Sequence, residues 1–164
     1  MVTTPEEERE EAAPNPLKSF LNVPGGISEK DAIQRATDSL EMIRHNALEE
    51  IDDALSRVAK HVDMGDDSRA AAHDLHMLGN SVSSLAGMFG LPQLGVAAYC
   101  LCELVDVLTS RGVWDREAVM IHYDAMRKLR EPREISPEER ERLIDGLRKV
   151  TLRLSRAPAV RAVS

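Results

Sequence analysis

Aromatic side chains are scarce in this chain: one Trp, two Tyr and two Phe among 164 residues. A core without them must be filled by Leu, Val, Ile, Ala and Met, which suits helix-on-helix packing. Period-two alternation is missing over any strand-length stretch, so no sheet is expected. Cysteine is nearly absent. Cys100 and Cys102 stand two apart in an apolar helical run, so they point about 200° apart on a helix and cannot bridge each other. They read as reduced core thiols. Basic surface is lacking as well. The net charge of −7 leaves nothing to neutralise a phosphate backbone, which argues against non-specific nucleic-acid binding. No apolar run reads as long enough to span a membrane. The N-terminus, V-T-T-P-E-E-E-R-E-E, is acidic where a signal peptide would be basic and then apolar. A cytoplasmic protein with neither membrane nor nucleic acid as partner is expected.

The common catalytic templates are missing too. There is no G-x-x-x-x-G-K-S/T phosphate loop, no dinucleotide fingerprint, no G-x-S-x-G elbow and no H-E-x-x-H helix. Di-metal bundles need Glu-x-x-His pairs, and none of the five histidines has Glu three residues before it. His73-x-x-His76 alone falls two ligands short of a metal site. The expectation is no metal, no cofactor and no catalysis of its own.

What the chain does have is helical periodicity. Hydrophobic residues make up 43% and charged residues 30%, enough for one domain with a real core. Residues 1–27 are rich in Glu, Pro and Gly and read as a disordered acidic leader, with Leu17, Phe20 and Leu21 as a docking patch. Ser28, with Asp31 three residues on, is an N-cap. From there Ile33, Ala36, Leu40, Ile43, Ala47, Ile51, Ala54, Val58 and Val62 trace one long amphipathic helix ending near Gly65. A second helix starts at Asp66 or Asp67 and ends within Gly87–Gly90. Leu91-Pro92 opens a third, carrying Leu94, Ala97, Ala98, Leu101, Leu104, Val105 and Leu108 and ending at Gly112. Asp115 caps a fourth, with Ala118, Ile121, His122, Ala125 and Leu129 on its stripe, and Glu131-Pro132 ends it. Ser136-Pro137-Glu138-Glu139 supplies a cap, an N1 proline and a capping-box carboxylate for a fifth, striped by Leu143, Leu147, Val150 and Leu154. The reading is all-α: an up-down antiparallel helical bundle over residues 28–155, with a frayed tail at 156–164.

The second helix carries the chemistry. Ala71, Leu75, Leu78, Val82, Leu85 and Phe89 form its apolar stripe, and Arg69, His73, His76, Asn80, Ser83, Ser84 and Gly87 lie on the opposite side. Gly79, Asn80, Ser81, Ser83, Ser84 and Gly87 are poor helix formers. A run of small residues there suggests that something large comes close: a partner protein, or a second helix packed tightly on that side. A neutral, accessible imidazole is a competent nucleophile toward an activated phosphoryl group. Arg69, one turn before His73, can hold phosphate oxygens.

Ala72-His73-Asp74-Leu75 and Gly87-Met88-Phe89-Gly90-Leu91-Pro92 resemble the phospho-accepting helix and following turn of bacterial histidine phosphotransfer (HPt) domains. Ala32–Ala36 with Leu40, Leu101–Leu104 and Ile121–Arg127 resemble that family's first, third and fourth helices, so the likeness covers roughly residues 28–130. The resemblance implies an up-down antiparallel four-helix bundle with an extra C-terminal helix, and a phosphocarrier exchanging phosphate with receiver-domain aspartates. His76 and His73 are then the candidate phosphoacceptors, and Arg69, Gly79, Asn80, Ser83, Ser84 and Gly87 the docking face. The implied partner is the receiver domain of a response regulator or hybrid histidine kinase. In the family's pattern the histidine stands ten residues before the turn glycine, where this chain has Asn80. The alternative is therefore an HPt-like adaptor that docks on a receiver or kinase without carrying phosphate.

Overall fold

The computed structural model describes residues 26–65, 69–131 and 135–156, and among these there are five α-helices and no strand. They are α1 (Glu29–Met64), α2 (Arg69–Met88), α3 (Pro92–Arg111), α4 (Arg116–Arg130) and α5 (Pro137–Arg156). The expected starts of the second helix at Asp66 or Asp67 and the break at Pro132 lie outside the described residues, as do residues 1–25 of the leader and the last eight residues.

The chain divides within α1 into one compact unit ending at Leu40 and another beginning at Glu41. In the first, the Ser28 hydroxyl accepts from the Asp31 backbone N–H at 3.1 Å and donates to its carboxylate at 2.8 Å, so the cap is made. The apolar stripe expected from Ile33 onward is not buried there. Ile33 and Leu40 are 60% and 66% exposed.

In the second unit the helices pack as a bundle. Ala47, Ile51, Ala54, Leu55, Val58 and Val62 of α1 share one core with α2 to α5. α3 is the central helix, packed against α2, α4 and α5, and ten of its residues are buried. By length and composition alone α3 is apolar enough to cross a membrane, which corrects the expectation that no run would be. Its place in the core accounts for that apolarity.

Three glycines adopt left-handed backbone, Gly65 (φ +62°) just after α1 and two more at the following turns. Gly90 (φ +84°) ends α2 with the Leu91 N–H bonded to the Ala86 carbonyl at 2.9 Å. Gly112 (φ +62°) ends α3 with the Val113 N–H bonded to the Leu108 carbonyl at 3.1 Å and its own N–H to that of Thr109. Both are six-to-one closures that satisfy orphan carbonyls. Arginines also cover helix ends: Arg116 donates to the Val62 carbonyl of α1 at 2.7 Å, Arg44 to that of Phe89 just past α2 at 2.8 Å and Arg111 to that of Ser155 on α5 at 3.0 Å. Asp115 caps α4 by accepting from the Ala118 N–H at 2.9 Å.

Two stripes differ from expectation. On α4 the buried set is Ala118, Val119, His122, Ala125, Met126 and Leu129, while Ile121 is exposed, because two neighbouring helices rotate the covered face toward Val119 and Met126. On α5 it is Ile144 and Leu147 that are buried, with Leu143, Val150 and Leu154 at the margin. Ser136 caps α5, but the Glu139 carboxylate accepts from Lys128 Nζ at 2.6 Å, an ion pair that holds its pKa below the usual value.

Candidate functional site

Small residues bring α2 and α3 together. A Cβ on Gly79 would lie 2.6 Å from Cys102 Sγ and 3.0 Å from the Ala98 carbonyl oxygen, and one on Gly95 would lie 3.1 Å from that of Ser83. Gly79 is therefore buried, which corrects its expected place on an exposed docking face. The turn sits at Leu91, and residues equally far on either side of it meet. Fifteen residues away stand His76 and Asp106, eleven away Asn80 and Cys102, four away Gly87 and Gly95.

The two histidines differ in their surroundings. His76 belongs to a polar cluster across the α2–α3 seam. Its Nδ1 lies 3.2 Å from Asn80 Nδ2 and its Nε2 lies 3.5 Å from Asp106 Oδ1. An Asn80 N–H donating to Nδ1 leaves the ring proton on Nε2, facing the carboxylate. The Cys102 thiol lies 3.4 Å from the His76 carbonyl oxygen and 3.7 Å from Asn80 Oδ1. Burial, and then the Asp106 charge, push that thiol up to about 11, so it stays protonated as a donor. Both ring nitrogens of His76 are engaged.

His73 lies one turn earlier on α2, exposed, and makes no side-chain hydrogen bond or ion pair with a described residue. Its neighbour Asp74 faces His61 on α1, at 3.8 Å. Arg69, a further turn back and about 6 Å along the axis, is exposed and lines a cleft of about 240 Å³ with Thr109 and Trp114. Of the other expected site residues, Asn80, Ser84 and Gly87 are exposed and Ser83 is half-covered by α3. The Ser84 hydroxyl donates to the Asn80 carbonyl at 2.9 Å, leaving its face open but not unpaired.

Asp106 and Cys102 were not among the expected site residues. The mirror about Leu91 is the signal that finds them, since a short turn sets which residues oppose one another. Among the described residues no group of His, Cys, Asp and Glu is placed to hold a metal ion.

No family model, curated protein or solved structure matches this chain.

Proposed function

We propose that this chain is an HPt-like phosphorelay protein, cytoplasmic and without catalysis of its own, in which His73 accepts a phosphoryl group from a receiver-domain aspartate. The observation that carries the reading is the contrast between the two histidines. His73 offers an accessible ring with neither nitrogen committed to a described residue, one turn from Arg69, on a face of short side chains that admits a bulky partner. His76, held by Asn80 and Asp106, instead ties α2 to α3.

In the transfer, one ring nitrogen of neutral His73 attacks phosphorus. The N–P bond forms as the acyl O–P bond of the aspartyl phosphate breaks, the aspartate leaves as a carboxylate, and the other ring nitrogen keeps its proton. The receiver supplies its own Mg²⁺ and the activated phosphate. Arg69 takes up charge on the transferring oxygens. A second reading is favoured by the engaged state of His76 and by Asn80 where the family pattern has histidine: an adaptor that docks on a receiver or kinase through the same face and carries no phosphate.

Phosphorylated receiver domains incubated with the purified full chain separate the two. The expected result is acid-labile label on the native protein, lost in His73→Ala and retained in His76→Ala, with both variants helical by circular dichroism. Label retained by His73→Ala would overturn the assignment. Receiver binding without label on any variant would move the protein to the adaptor reading.

A further inference from the structure

We propose that the cleft at the α2–α3 turn is a binding site for a diphosphate-bearing anion, separate from the histidine face and independent of its chemistry. The cleft encloses about 340 Å³, within the range of small-ligand pockets, roughly 300–1,000 Å³. Three arginines from three helices line it: Arg44 of α1, Arg130 at the end of α4 and Arg140 of α5. In a chain of net charge −7, the fold has gathered three arginines around one opening, with Glu131 the single carboxylate on its wall among the described residues.

Each guanidinium has donors to spare. Arg44 gives Nη1 to the Phe89 carbonyl at 2.8 Å and meets no carboxylate among the described residues. Arg130 gives Nη2 to Asp52 at 2.8 Å, while its Nε is buried with no partner. The Arg140 side chain is half-buried and makes no hydrogen bond or ion pair with a described residue. Glu131 is drawn off by Arg127 at 3.4 Å. Arg44 and Arg140 meet no carboxylate among the described residues, so their like charges repel across the cleft, and the buried unpaired N–H of Arg130 is costly. A polyanion relieves both. Guanidinium forks match phosphate oxygens two at a time, which favours phosphate over a single carboxylate. No side chain caps α3, and Gln93 and Leu94 of its first turn also line the cleft, so the positive end of that helix adds to the potential there.

Calorimetric titration of the full chain at low ionic strength tests this, with inorganic pyrophosphate and ADP as probes. The expected result is saturable binding at one site, weakened about tenfold in Arg140→Gln by loss of a charge-assisted hydrogen bond. Arg57→Gln, exposed on α1 and outside the cleft, should leave it unchanged, and Glu131→Gln should tighten it. ADP binding more tightly than pyrophosphate would show that a nucleoside is read as well; equal binding would show that the diphosphate alone is read. Absence of binding by the native protein, or equal weakening in Arg57→Gln and Arg140→Gln, would overturn the proposal. Neither result touches the phosphotransfer assay, because His73 lies outside the cleft.

Discussion

One apolar spacing runs along α1 from Ile33 to Val62, and its two stretches end differently. Ile51 and Val58 are fully buried, whereas Ile33 and Leu40 stand more than half exposed. Periodicity states that a helix has an apolar face. It does not state that the same chain covers it. Within the second unit Ile51 shares its core with α2 to α5.

The sharpest way to break this comparison is to make the same substitution in both stretches. Ile51→Ala should destabilise the protein by about 3 kcal/mol through lost transfer energy and a residual cavity. Ile33→Ala should stay within about 0.5 kcal/mol. Urea unfolding of the two variants measures both, and similar losses would show that Ile33 is covered in solution.

A smaller effect is expected where α2 and α3 touch. Gly79→Ala gains helix propensity, about 1 kcal/mol, but its methyl meets Cys102 Sγ and the Ala98 carbonyl, and overpacking costs about 1–3 kcal/mol. Net destabilisation of about 1 kcal/mol by thermal unfolding is the expected outcome. Gly87→Ala, with nothing near its Cβ position, should stabilise by a few tenths to about 1 kcal/mol. Opposite signs from two glycines of one helix would sharpen the contrast between its covered and open sides.

The third test concerns His122, fully buried between α4 and α5, with Nδ1 2.8 Å from the Ala118 carbonyl and Nε2 3.4 Å from Thr151 Oγ1. Burial lowers its pKa below 6.5. Below pH ~6.5 the unfolded chain therefore takes up a proton that the folded chain refuses. The contribution is present above that pH and is lost as pH falls toward the folded value. Unfolding at pH 7.5 and 5.5 should show a drop in stability that is smaller in His122→Gln. An unchanged drop would assign it to the other histidines.

The helices were largely legible because their signals are local. Ser28, Asp115, Ser136, Pro92, Gly90 and Gly112 mark starts and stops by backbone chemistry that needs no distant partner. The faces were legible where a helix has one neighbour and blurred where it has two, as with Val119 and Met126 on α4. Gly79 was misplaced because a small residue reads the same whether a partner protein or the next helix presses against it. The polar cluster was half visible: His76 and Asn80 share a face of α2, but Asp106 and Cys102 join them only once the turn sets the register. The arginine cleft draws on three helices separated by long stretches of chain, and no short-range pattern announces it.

The mirror about Leu91 makes the turn a ruler. One residue inserted into the first turn of α3 would move every later α3 position by about 1.5 Å and 100° relative to α2. Asp106 would leave His76, and Cys102 would swing away from the notch that Gly79 leaves for it. The length of this three-residue link therefore constrains the α2–α3 pairing more tightly than the identity of any one side chain on it. Sequences that share its architecture are then to be sought by the spacing between paired positions rather than by the identity of what fills them.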